Sequence, residues 1–99
     1  MAADPVEVDP KHHKVEFDKD RVRVLRISYG PGEKSVMHRH RAAVAVFLTE
    51  SRAKFTFPDG KSEERSWKAS ETMLTPAEQH LAENLSDKPL ELAFVESKA

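Results

Sequence analysis

An all-β barrel or sandwich is the fold class this sequence predicts, on three observations. Apolar residues come in runs of strand length, turns rich in Gly, Pro and Asp separate them, and no stretch holds a helical period beyond a turn or two. About eight strands fit that pattern.

Met1 to Lys14 carries Pro5, Pro10 and mixed charges and reads as an N-terminal arm, leaving residues 15–99 as a single barrel domain. His12 and His13 lie in the arm. Neighbours at i and i+1 point apart on a strand, so both are expected in solvent, with a spare metal ligand as the alternative. Val15-Glu16-Phe17 alternates, and Asp18-Lys19-Asp20 turns into a strand from Arg21 to Tyr29. There Val22 and Val24 share one parity while Leu25, Ile27 and Tyr29 share the other, which predicts a bulge or a strand covered on both faces. Gly30-Pro31-Gly32 ends it.

Ala42 to Thr49 is a continuous apolar run suited to a strand covered on both sides. Lys54 to Phe57 alternates, Pro58-Asp59-Gly60-Lys61 makes a hairpin, and Ser62 to Trp67 returns as a polar edge strand. Glu71 to Thr75 leads to the turn at Pro76. A strand from His80 to Asn84 and another from Leu90 to Val95, joined by a turn at Ser86 to Pro89, complete the domain. Phe47, Phe55, Phe57, Trp67, Met73 and Leu74 are expected in the core or in a pocket wall.

The 99 residues hold 16 basic and 17 acidic side chains, giving a net charge of −1, and the two signs alternate along the chain. No basic stripe exists to follow a phosphate backbone, so a nucleic-acid partner is not expected. The absence of cysteine removes disulfides, thiolate metal sites and cysteine nucleophiles together. No apolar run approaches the ~20 residues of a membrane span, so no membrane partner is expected. The expected setting is soluble, either cytoplasmic or exported with a signal already removed.

The chemistry concentrates in three histidines. His38 and His40 stand at i and i+2 in Gly32-Glu33-Lys34-Ser35-Val36-Met37-His38-Arg39-His40, so on a strand both rings share a face. His80 opens the run His80-Leu81-Ala82-Glu83-Asn84. If both strands line one interior, His38, His40 and His80 can converge as three nitrogen ligands of an open metal site. Arg39 and Arg41 fall on the opposite face and read as surface charges. Glu78, Gln79 and Glu83 are candidates for proton transfer or, more simply, solvated turn residues, and no catalytic role is assigned to any side chain.

These two stretches resemble the paired motifs of the cupin superfamily. The first family motif, G-x5-H-x-H-x3,4-E-x6-G, is met by Gly32, His38 and His40, but Val44 and Ala45 stand where its glutamate belongs and the closing glycine is missing. The second, G-x5-P-x-G-x2-H-x3-N, is met by Pro76, His80 and Asn84, with Ser70 in place of the first glycine and one residue fewer between Pro76 and His80.

The resemblance implies a jelly-roll, double-stranded β-helix barrel, with His38, His40 and His80 holding one divalent transition metal. Iron, nickel, copper and zinc all suit imidazole. It also implies a homodimer, for which Val15 to Phe17 would suit strand exchange, and a small-molecule ligand or substrate. Two functions follow from it. One is a three-histidine metal oxygenase acting on a small anionic chelating substrate, and the other is a non-catalytic binding or structural module with a degenerate metal site. Asn84 is expected to be buried beside His80 and hydrogen-bonded to backbone.

Overall fold

The computed structural model describes residues 3–98. Nine strands carry the fold: β1 (His13–Asp18), β2 (Val22–Tyr29), β3 (His38–His40), β4 (Ala43–Phe47), β5 (Ser51–Thr56), β6 (Ser62–Trp67), β7 (Thr72–Thr75), β8 (Glu78–Asn84) and β9 (Leu90–Ser97). They form two antiparallel sheets, a five-stranded one in the order β1-β2-β9-β4-β7 and a four-stranded one in the order β3-β8-β5-β6. The all-β jelly-roll expectation holds.

Strand alternation builds the interior. β9 turns Leu90, Leu92, Phe94 and Glu96 inward, β2 contributes Leu25, Ile27 and Tyr29, and β4 contributes Ala43, Ala45 and Phe47. The facing sheet adds Ala53, Trp67 and Ala82. Each fully buried Leu or Phe contributes about 1.5–3 kcal/mol by leaving water. Leu74 departs from expectation: Met73 takes the inward position of β7, so Leu74 points outward and is 81% exposed.

Of the two alternatives for β2, a bulge or apolar residues on both faces, the structure has the second, and a bulge lies in its neighbour. β2 pairs with β9 in unbroken register, whereas β1 slips between Val15 and Phe17. The parity change at Val24 and Leu25 reflects apolar residues on both faces of β2.

Within the N-terminal arm, the described residues from Asp4 onward are packed against the barrel. Asp4 caps a single helical turn, α1 (Pro5–Val8), by accepting the Val6 N–H at 3.1 Å, with Pro5 at a position that needs no donor. Pro5 is fully buried and Val6 packs on the core. Arg23 ties the turn down, giving hydrogen bonds of 2.6 Å to Asp4 and 2.5 Å to the fully buried Glu96. Burial opposes the guanidinium charge, but the bonds to Asp4 and Glu96 outweigh it and raise the pKa of Arg23 further.

Two backbone positions echo the sequence motifs. Gly32 sits at φ +72°, the left-handed region that glycine enters freely, in the turn leading to β3. Ser70, where the motif has glycine, adopts φ +74° all the same. The chain keeps the backbone shape after losing the residue that makes it easy.

Candidate metal centre

β3 and β8 are antiparallel neighbours in which His38 faces His80 and His40 faces Glu78. With side chains alternating, His38, His40 and His80 all turn inward and only 2%, 6% and 6% of each stays exposed. The three rings lie side by side on that inner face, although the ligand atoms that come within 4.8 Å of one another are those of His40, Glu78 and His80, a group that does not include His38. His80 stands in the middle, its ring centroid 5.0 Å from that of His38 and 4.7 Å from that of His40, while the outer two are 6.3 Å apart.

Their second nitrogens are all engaged in the same sense. Nδ1 of His38 donates to the Val36 carbonyl at 2.9 Å, Nδ1 of His40 to the Arg41 carbonyl at 2.9 Å, and Nδ1 of His80 to Glu78 Oε1 at 2.7 Å. A neutral ring that donates through Nδ1 leaves a lone pair on Nε2, the arrangement in which histidines bind metal. Burial keeps the rings of His38 and His80 neutral. It lowers the pKa of His38 to about 4 and that of His80 to about 2, and the crowding of the other histidines pushes in the same direction. By donor chemistry, then, the site fits a transition metal.

Glu78 was the residue that sequence reasoning undervalued. β8 begins at Glu78, two residues before the expected start at His80, so Glu78 shares the face of His80. Ligand atoms of His40, Glu78 and His80 lie within 4.8 Å of one another. The carboxylate missing from β4 is thus available from β8, either as a ligand or as the group orienting His80. Ala45, at one of the two positions where the motif glutamate belongs, is 1% exposed and lines the same cavity.

The remaining wall is mostly apolar and aromatic, with Phe47, Phe55, Trp67, Met73, Leu92 and Phe94 around the histidines. Phe47 stacks on Trp67 with ring centroids 4.3 Å apart, and Phe94 and His40 pack edge to face with centroids 5.0 Å apart. Arg65 lies over the Phe55 ring at 4.7 Å, and its Nη1 is 3.8 Å from Glu78 Oε1. Arg39 and Arg41 are exposed, as expected.

His12 and His13 depart from the solvated setting expected of them, being 6% and 2% exposed. His12 Nδ1 sits 2.9 Å from both Asp9 carboxylate oxygens, and its Nε2 is 3.3 Å from Glu33 Oε1. His13 donates through Nδ1 to the Asp9 carbonyl at 3.0 Å, and the Tyr29 hydroxyl lies 3.3 Å from its Nε2. The His13 ring meets His38 at 4.9 Å, so the N-terminal segment reaches the edge of the centre.

Asn84 behaves as expected, 1% exposed with its side-chain amide donating to the carbonyls of Tyr29, Gly30 and Lys88. These bonds pin the loop before β3 to the loop after β8.

A two-sheet β-barrel with histidines inside describes the double-stranded β-helix class, and solved structures agree. A cupin domain from Bordetella pertussis Tohama I matches with a TM-score of 0.81 and 27% identity, covering 88% of this chain and 92% of that one. An RmlC-like cupin with a double-stranded β-helix fold from Methanocaldococcus jannaschii matches at TM-score 0.61 and 20% identity, over 90% and 83% of the chains. Recombinant oxalate oxidase in complex with glycolate shares the fold at TM-score 0.54 and 17% identity, over 75% of this chain and 40% of that one. No family model and no curated protein matches the chain. On this evidence the chain has the double-stranded β-helix fold of these cupin domains.

Proposed function

We propose that this protein is a mononuclear metal cupin of the oxygenase type, using His38, His40 and His80 as ligands and acting on a small chelating substrate. The observation that carries the reading is the common tautomer of the three rings, each tied through Nδ1 and free at Nε2 on the face of one cavity. When bound, a redox-active ion with open positions supplies the reaction between substrate and dioxygen. The chain's own residues do the rest. Glu78 orients His80 and adds a carboxylate beside the three imidazole donors, and the aromatic wall excludes water from the substrate.

The fold tolerates such an occupant, since one structural neighbour is an oxalate oxidase in complex with glycolate. A non-catalytic binding module is the second reading, favoured by Ala45 at a position the motif gives to glutamate and by a cavity wall with few polar groups. A homodimer remains part of the proposal.

Elemental analysis of untagged protein after growth in metal-supplemented medium tests metal binding, with about one ion per chain expected and less than about 0.2 overturning it. Dioxygen uptake with a panel of small chelating acids, diketones and thiols separates the two readings. Consumption by the iron form, lost in His80→Ala, supports the oxygenase, whereas thermal stabilisation by the same compounds without uptake supports the binding module.

A further inference from the structure

The three inward rings are oriented by unequal partners. His38 and His40 give their Nδ1 protons to the carbonyls of Val36 and Arg41, which the backbone holds in place. His80 gives its proton to Glu78 Oε1, at the end of a flexible side chain. Burial first, then the crowding of His40 and His38, and then the Arg65 charge resist protonation of His80, so its neutral ring carries one N–H. The hydrogen-bond partner decides which nitrogen bears that proton. The centre therefore depends on whatever keeps the Glu78 carboxylate still.

Arg65 stands where that support is needed. The register of β6 sets Glu63, Arg65 and Trp67 opposite Phe55, Ala53 and Ser51 of β5. Trp67 is buried in the core, so alternation turns Arg65 toward the cavity as well. There its guanidinium lies over the Phe55 ring, 4.7 Å from the centroid, bonds Glu63 on its own strand, and brings Nη1 to 3.8 Å from Glu78 Oε1. That oxygen is the one that accepts from His80 at 2.7 Å. Among the described residues Arg65 is the only lysine or arginine lining the cavity. β6 is an edge strand, and an outward arginine on it would keep its full hydration. Turned inward, the charge is offset by two carboxylates and an aromatic face, and with the Arg65 and Glu78 side chains only 25% and 17% exposed, water screens their attraction in part.

We propose that Arg65 is a positioning residue of the metal centre: through Glu78 it selects the His80 tautomer that leaves Nε2 free. The contacts run in order from the guanidinium to Glu78 Oε1, from there to the Nδ1 proton of His80, and across the ring to Nε2 at the cavity. Without the cation the carboxylate is free to rotate toward water or toward His40, whose ligand nitrogen lies within 4.8 Å of it. The His80 proton can then settle on Nε2, where it blocks coordination. The inference rests on the reading of the centre proposed above, but the tautomer belongs to the metal-free ring and is measured apart from any metal.

Nitrogen-15 NMR of the imidazoles in metal-free protein tests the selection, and calorimetric titration of the metal tests its consequence. Wild-type His80 should carry its proton on Nδ1, and Arg65→Met, which keeps the packing on Phe55, should move at least about a fifth of the population to Nε2. His38 and His40, held by backbone, should keep their pattern in the same variant, which a general loosening of the barrel would not spare. Metal affinity should fall about 3- to 10-fold in Arg65→Met, yet by less than about twofold when Glu78→Gln is already present, because Arg65 acts through that carboxylate. Arg65→Gln provides the same readings should Arg65→Met not fold. An unchanged His80 tautomer in the folded variant overturns the proposal even where wild type binds metal. So do equal losses of affinity with and without Glu78→Gln, which would give Arg65 a role apart from Glu78. A shifted tautomer in a protein that binds no metal supports the selection by Arg65 and overturns the proposed function instead.

Discussion

The protein buries two pairs of histidines close in sequence, and they end in opposite chemical states. His38 and His40, with His80 opposite, keep Nε2 free toward the cavity. His12 and His13 are as deeply buried, but both nitrogens of each ring already lie within reach of Asp9, Glu33 or Tyr29. Burial alone therefore does not mark a ligand. Spacing decides it: i and i+2 on one strand aim two rings at one point, while i and i+1 send them to different partners, one to a carboxylate pair and one to the edge of the centre.

The comparison breaks most sharply by removing one ring of each kind. His38→Ala and His80→Ala should weaken metal binding more than about 100-fold, and His12→Ala should leave it within about threefold, as read by calorimetric titration of the metal. Equal losses from all three would erase the distinction. His12→Ala should instead destabilise the fold by about 1–3 kcal/mol in urea unfolding, because Asp9, 6% exposed, loses a buried hydrogen-bond partner. Glu33 would be less affected, being held at about 2 first by the Gly30 N–H and next by Lys11.

Glu78→Gln sharpens the picture at the next level down. It keeps the shape beside His80 Nδ1 but removes the carboxylate charge, and metal affinity should fall about 10- to 100-fold. A fall as deep as that of His80→Ala would make Glu78 a ligand in its own right, and no change would leave it a surface group.

The smallest effect is the pH dependence of the metal-free protein. The folded pKa values of His38 and His80 are depressed below 6.5, so between pH 6.5 and about 4 the unfolded chain binds protons that the folded one refuses. Stability from these rings is complete above pH 6.5 and is lost as pH falls toward 4, by up to about 1.4 kcal/mol per pH unit and ring. Melting temperatures at pH 7.5, 6 and 5 should decline, and the double variant His38→Asn, His80→Asn should flatten that decline. Bound metal should move the onset to lower pH, because protons must then compete with the ion.

Much of this was legible in the sequence because turn residues and parity are local. Gly30-Pro31-Gly32 and Pro58-Asp59-Gly60 delimit strands by backbone chemistry alone, and the i, i+2 spacing of His38 and His40 fixes their shared face. Asn84 was readable by its parity with His80. Glu78 was obscured because Pro76 reads as a turn whose far boundary is not encoded nearby; starting the strand two residues earlier would have put the carboxylate beside His80. The burial of His12 and His13 depends on Asp9, Glu33 and Tyr29, and a pairing between residues 12 and 33 leaves no periodic trace. The turn α1 is too short for periodicity, although Asp4 before Pro5 is a helix-start signal. At Ser70 the motif glycine is gone and the left-handed backbone persists, so the residue type had stopped reporting the conformation.

Pro5, buried in the cavity wall and anchored through Asp4 to Arg23, makes the opening residues part of the chamber itself. Trimming the gene to begin at the first strand would leave a side entrance next to His13 and His38. Conversely, replacing that one helical turn offers a way to retune which molecules are admitted without touching a single strand.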